Sequence, residues 1–153
     1  MKESKTTKSY LKELYCSKCN KIYPADKVQQ VCECGAPLLV RYDLEEARHE
    51  WKKESLKERS KSLWRYREVL PVENIENIVT LGEGGTPVLS LKEAGKRIGI
   101  SNLYLKDEGV IPTGTFKARG AAVGISKAKE LGVDTIAMPT NGNAGAAWAL
   151  YSA

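Results

Sequence analysis

"NLYLKDEGVIPTGTFKARGAAVGISKAKELGVDTIAMPTNGNAG", residues 102–145, decides the fold. Residues 102–108 read as a strand and 113–132 as a helix. In that helix Ala118, Ala121, Ala122 and Ile125 fall on one face of mostly small residues, suited to close packing on a sheet. Residues 134–139, "DTIAMP", read as a second strand, and "NAGAAWALYSA" starts another helix. Strands alternating with helices predict an α/β chain with a parallel, doubly wound sheet. In such sheets sites lie outside the carboxyl ends of the strands. The two loops so placed are "DEGVIPTGTFK" and "PTNGNAG".

The first of these loops ends on Lys117, set in the first turn of the predicted helix. A cation there faces the positive end of the helix dipole, at a cost of about 0.3–1 kcal/mol. The position disfavours the ammonium and favours the neutral amine, a nucleophile that condenses with an aldehyde. The plain alternative is a lysine reaching into solvent. In the second loop Asn143 is predicted as the helix N-cap, with Gly142 and Gly145 letting the backbone approach a ligand. Amides at a helix start bind a carboxylate, and the asparagine side chain can donate to a phenolate oxygen. A lysine amine, an amide donor and a carboxylate cradle are what a pyridoxal phosphate enzyme acting on amino acids needs. An ordinary Asn-Gly turn with a helix cap remains the alternative for this loop.

Working toward the N-terminus, "TLGEGGTPVLSL" (80–91) is a glycine-rich loop that matches neither GxxxxGK[ST] nor GxGxxG, so it carries no nucleotide signal. "LKEAGKRIG" (91–99) reads as a short helix with Leu91, Ala94, Gly95 and Ile98 on one face. "SLWRYREVLP" (62–71) mixes aromatic and basic residues, suiting either a nucleic-acid surface or docking on a neighbouring domain. Residues 44–60 are charge-rich and helix-favouring, with Leu44, Ala47 and Trp51 on one face. His49, the single histidine, lies in that solvated stretch.

Cys16 and Cys19 form CxxC, and Cys32 and Cys34 form CxC, twelve residues further on. Paired cysteines in a reducing compartment point to metal, and four thiolates match a tetrahedral structural Zn²⁺ site. Four free or partly oxidised thiols are the alternative. The organisation predicted is a flexible tail over 1–10, a zinc-ribbon-like β module over 11–43, a helical or irregular connector over 44–79, and a catalytic segment over 80–153.

The formal charge of +5 is spread along the chain rather than gathered in one run, which argues against a nucleic-acid partner. Hydrophobic residues at 42% and charged ones at 28% place the chain among ordinary globular proteins. No apolar run approaches a membrane span, and the polar N-terminus lacks a signal peptide's apolar core. The cytoplasm is therefore the expected compartment.

"GEGGTPVL", "LYLKDEGVIPTGTFKARG" and "PTNGNAG", in this order, resemble the threonine synthase family, within the tryptophan-synthase-like pyridoxal phosphate enzymes of fold type II. The cysteine segment running into "CGAPLLVRYDL", and "LWRYREVLP" after it, resemble the N-terminal extension of the archaeal-type members. The resemblance covers nearly the whole chain beyond the tail, and "PTGTFKARG" is its most specific string. It implies that Lys117 forms the internal aldimine with pyridoxal 5'-phosphate and that Phe116 lies beside the cofactor. It implies that Asn143 bonds the pyridoxal hydroxyl, and that Thr140, Asn141, Asn143 and Ala144 hold the substrate carboxylate. Lys106 is a candidate for the substrate phosphate. Thr140 stands where serine is common in the wider family, a mild chemical change. The implied reaction converts O-phospho-L-homoserine and water to L-threonine and phosphate, in a homodimer at full length, with no nucleic acid and no membrane involved. Cysteate synthase and threonine dehydratase are the related alternatives, and a zinc-ribbon nucleic-acid module the unrelated one. Absent from the sequence are the family's glycine-rich phosphate loop and the group facing the pyridine nitrogen. The expectation is an N-terminal fragment that is inactive as it stands.

Overall fold

A computed structural model describes residues 8–153. It opens with an antiparallel ribbon of three strands, β1 (Leu11–Cys16), β2 (Ile22–Tyr23) and β3 (Leu38–Tyr42), in the order β2-β1-β3. Leu14 pairs with Tyr23 on one side and Val40 on the other, and Cys16 pairs with Leu38. The β1–β2 turn closes through Asn20, whose φ of 61° is one that asparagine tolerates better than most residues. Residues 8–10, predicted as the end of a loose tail, are docked. The Tyr10 amide donates to Glu68 O at 2.8 Å, Ser9 Oγ donates to Leu70 O at 2.7 Å, and Tyr10 is only 4% exposed. Residues 1–7 of that predicted tail lie outside the described residues.

Helix α1 (Leu44–Glu50) starts where the Asp43 carboxylate accepts the Glu46 amide at 3.0 Å. It is shorter than the charge-rich stretch over 44–60 predicted. Of the expected apolar face only Ala47 is buried, Leu44 being 63% exposed, and one small side chain gives little packing to hold a longer helix. A 3-10 turn at Lys53–Leu56 follows, and then the segment Leu63–Val69 docks inward. Trp64 enters the core there, and buried Glu68 pairs with Arg59 at 2.6 Å. This aromatic and basic stretch thus packs inward on its own chain through Trp64 and Glu68.

Strand β4 (Val88–Ser90), helix α2 (Lys92–Ile98) and strand β5 (Tyr104–Lys106) follow, the two strands pairing antiparallel with Leu89 opposite Leu105. On α2 only Gly95 of the predicted face is buried, and Ile98 is exposed. Helices α3 (Lys117–Glu130) and α4 (Asn143–Ser152) complete the chain. The small-residue face of α3 is buried as its spacing predicts, but against a helix rather than the expected sheet: Ala118, Ala121, Ala122 and Ile125 pack with Ala147 and Tyr151 of α4, Trp64, Val72 and Ile111. Gly124 brings the two helices close, because a Cβ there would stand 2.5 Å from Cη2 of Trp148.

The parallel, doubly wound sheet is not formed among the described residues, where every strand pairing is antiparallel. Residues 134–139 adopt no strand and are exposed. A strand exists through its ladder, and this stretch has no neighbour to pair with here. No helix among the described residues is long and apolar enough to cross a membrane.

Candidate functional site

The ribbon brings its four cysteines together. The Sγ atoms of Cys16, Cys19, Cys32 and Cys34 all lie within 4.8 Å of one another, with Cys16–Cys34 and Cys19–Cys32 each at 3.5 Å. A tetrahedral zinc with bonds of about 2.3 Å sets its sulfurs about 3.8 Å apart, so the spacing suits one ion. The β1 end and its turn supply the first pair, and the amides of Cys19 and Lys18 both donate to Cys16 Sγ at 3.3 Å. These bonds, the Cys19 amide foremost, bring the Cys16 thiol down to about 6. The Cys34 amide and then the Tyr23 hydroxyl, 3.2 Å from its sulfur, lower Cys32 as well. The amides of Lys21 and Ala36 pull Cys19 and Cys34 down, but the neighbouring sulfurs push both up, Cys34 to about 12, so Cys16 and Cys32 are the thiols readiest to give the thiolates that ligate metal. Cys16 and Cys32 are buried and Cys19 and Cys34 exposed, so the cluster sits at the ribbon's rim. The donor set fits a metal ion.

The second constellation lies at the starts of α3 and α4. Lys117 is the first residue of α3, as predicted, with Phe116 at the cap position before it. The Lys117 side chain is exposed and its amine lies 4.7 Å from the centre of the Phe116 ring, itself 60% exposed. Among the described residues that amine has no hydrogen-bond or ion-pair partner. The loop leading to it is strained. Thr113 holds a φ of 80°, a left-handed conformation that costs a β-branched residue about 1–3 kcal/mol. Thr115 Oγ1 is buried there without a hydrogen-bond partner among the described residues. Two residues beyond Lys117, Arg119 grips Glu108 through Nε at 2.7 Å and Nη2 at 2.8 Å, tying the first turn of α3 to the loop after β5. Arg119, helped by the Thr86 hydroxyl at 2.6 Å, draws the Glu108 carboxyl down to about 2.

At α4 the cap differs from the one predicted. Gly142, with φ 127°, holds the N-cap position and Asn143 is the first helical residue. The capping oxygen comes from Thr140, whose Oγ1 accepts the amides of Gly145 at 2.8 Å and Gly142 at 3.1 Å. A left-handed glycine swings the chain back so that the threonine, not the asparagine, reaches the free amides. Asn143 and Asn141 are thereby left exposed, with Ala144 partly buried. Lys106, at the end of β5, donates to Thr86 O.

One polar centre was not visible in the sequence. Glu83, in the glycine-rich loop, is fully buried and accepts from Trp64 Nε1 at 2.9 Å, Tyr151 Oη at 2.7 Å, the Leu81 amide at 3.0 Å and Thr80 Oγ1 at 3.1 Å. Trp64 and Tyr151 stand 19 and 68 residues away, so no local spacing signals the centre.

A lysine amine that among the described residues only the Phe116 ring touches, an exposed asparagine and a strained approach leave a nucleophile and an amide donor open to a ligand. Residues 79–153 match the family described as pyridoxal-phosphate dependent enzyme. The chain is 45% identical over 138 residues to a threonine synthase of Methanocaldococcus jannaschii, covering 90% of this chain and 34% of that protein. It is 43% identical over 141 residues to a threonine synthase of Methanosarcina acetivorans, covering 92% and 34%. Over 97 residues it is 44% identical to one of Halalkalibacterium halodurans, covering 60% of this chain and 27% of that protein. The chain thus spans about a third of the length of the first two relatives, at 34% each.

Proposed function

We propose that this chain, homologous to threonine synthases and carrying a pyridoxal-phosphate dependent enzyme segment over residues 79–153, supplies the lysine-bearing part of an enzyme that converts O-phospho-L-homoserine and water to L-threonine and phosphate. The observation that carries the reading is the amine of Lys117 at the start of α3, which rests against the Phe116 ring and among the described residues has no hydrogen-bond or ion-pair partner, inside the string most specific to the family. Pyridoxal phosphate, when bound, supplies the electron withdrawal that lets protons leave Cα and then Cβ of the amino acid. Lys117 holds the cofactor's carbonyl carbon at rest and, once released, carries those protons. Phe116 flanks the cofactor. Asn143 donates its side-chain amide to the ring oxygen. Thr140, Asn141, Asn143 and Ala144 receive the substrate carboxylate, with Thr140 Oγ1 giving up the Gly145 amide it now holds. Lys106 neutralises the substrate phosphate. The ribbon contributes a structural Zn²⁺ on Cys16, Cys19, Cys32 and Cys34, and the enzyme works in the cytoplasm as a homodimer.

The test uses protein of the relatives' full length. Borohydride reduction should fix the cofactor on the peptide bearing Lys117. Lys117→Ala should lose that adduct and nearly all phosphate release with the fold intact, because an exposed side chain contributes little packing. Lys117→Arg should not rescue, since a guanidinium is not deprotonated in proteins. A reduced adduct on Lys106 instead would overturn the assignment.

A further inference from the structure

The start of α3 lacks the device that begins the other helices near it. At α1 and α4 a side-chain oxygen, from Asp43 and Thr140, accepts free amides of the first turn. At α3, Phe116 holds the cap position without a side-chain bond to those amides. The approach through Thr113 is strained as well, and strained backbone persists only where its surroundings hold it. The register of β4 and β5 builds the hold. Their ladder ends with Val88 opposite Lys106. Continued outward, it sets Pro87 opposite Asp107, whose amide donates to Pro87 O at 3.0 Å. The next position sets Thr86 opposite Glu108, and the buried Thr86 donates its hydroxyl to that carboxylate at 2.6 Å. Glu108 is thereby fixed in place, and Arg119 takes both of its oxygens, through Nε at 2.7 Å and Nη2 at 2.8 Å. A two-pronged pair sets orientation as well as distance. Arg119 follows Lys117 by two residues, about 200° around a helix of 3.6 residues per turn. The two side chains therefore leave the first turn on opposite sides, the guanidinium tied to the β4–β5 pair and the Lys117 side chain exposed.

We propose that Arg119 is a positioning residue for Lys117: locked to Glu108, it fixes the first turn of α3 so that the lysine amine meets an aldehyde carbonyl in one set place. Arg119 acts through the helix turn and not by contact with the reacting atoms. Its partner Glu108 and the Thr86 hydroxyl behind it are parts of the same clamp. A nucleophile reacts fast only when its place is set closely, and Lys117 has no hydrogen bond or ion pair of its own among the described residues to set it. The inference rests on the proposed function in taking Lys117 as the group that holds the cofactor's carbonyl carbon.

The experiment uses protein of the relatives' full length, freed of cofactor and mixed with pyridoxal 5'-phosphate. Borohydride reduction at successive times gives the rate at which the Lys117 peptide gains its adduct, a readout that needs no turnover. Arg119→Gln and Glu108→Gln should each slow that rate, and lower kcat with KM little changed, about ten- to a hundredfold, the cost of misplacing a reacting group by up to about 1 Å. The double variant should be no slower than either single one, because each residue acts only through the other. Arg119→Lys keeps the charge and loses one prong, and its rate should fall between parent and Arg119→Gln. If Arg119→Gln fails to fold, Arg119→Lys and Glu108→Gln decide. A merely structural pair would lower the melting temperature and leave the adduct rate of the folded protein at the parent value, which overturns the proposal. A slowed Arg119→Gln beside an unaffected Glu108→Gln also overturns it, since the guanidinium would then act on a ligand directly. No adduct on Lys117 in the parent protein would overturn the proposed function and this inference with it. A parent adduct on Lys117, formed at the same rate in the variants, would overturn this inference alone.

Discussion

Replacing Glu83 tests how the two halves of the core are joined. Its carboxylate is fully buried and receives four donors from three parts of the chain: Trp64, the Thr80–Leu81 turn and Tyr151. Glu83→Gln keeps the volume and changes one oxygen to an amino group. The hydroxyls of Tyr151 and Thr80 can turn to accept from it. The indole N–H of Trp64, on Oε1, and the Leu81 amide, on Oε2, cannot. Either orientation of the glutamine amide therefore sets N–H against N–H once, and the remaining bonds lose their charge assistance. One buried donor left unmade and the others weakened come to about 2–4 kcal/mol. Glu83→Ala strands the donors outright, and about 4–6 kcal/mol is expected, in the range that unfolds marginal proteins. Urea unfolding followed by tryptophan fluorescence measures both, and amide exchange at Leu81 reports the local loss. A Glu83→Gln variant within about 0.5 kcal/mol of the parent would refute the reasoning, since that is the scatter of surface substitutions.

Gly124→Ala should lower the melting temperature although alanine is the better helix former by about 1 kcal/mol, because its Cβ would lie 2.5 Å from Trp148. The overpacking is worth about 1–3 kcal/mol, and a raised melting temperature would contradict it. Stability should also fall in acid through Glu108. Its carboxyl lies at about 2 in the folded chain against an ordinary 4.5, so the folded state binds its proton less readily than the unfolded one. That contribution is complete above pH 4.5, declines as pH falls and is gone below about 2. Glu108→Gln should flatten this part of a pH–stability curve, and an unchanged slope would remove Glu108 as its source. Protein purified without chelator should carry about one zinc per chain on four-ligand logic, and cobalt in its place should give a thiolate charge-transfer band. Chelation should unfold the ribbon, whose short strands bury little. Zinc-free protein with a folded ribbon and four titratable thiols would refute the metal site.

The features legible in the sequence are those set by local rules. Helical spacing of small residues located the buried face of α3, and the step from glycine and threonine to that pattern placed Lys117 at the helix start. The two cysteine pairs implied one cluster, since each pair sits on a turn too tight to point its sulfurs apart. What local rules do not contain is partnership across the chain. Residues 134–139 have the composition of a strand, yet strand formation depends on a neighbouring ladder, which no composition supplies. Asn143 has the chemistry of a cap, but the φ of Gly142 turned the chain so that Thr140 reached the free amides first. The grip of Arg119 on Glu108 and the burial of Glu83 beneath Trp64 and Tyr151 join residues far apart in sequence. The sequence by itself determined the buried face of α3, the place of Lys117 at its start and the pairing of the cysteines. Only the tertiary structure decided which charges and donors meet, because those energies depend on distance through space and burial from water rather than on separation along the chain.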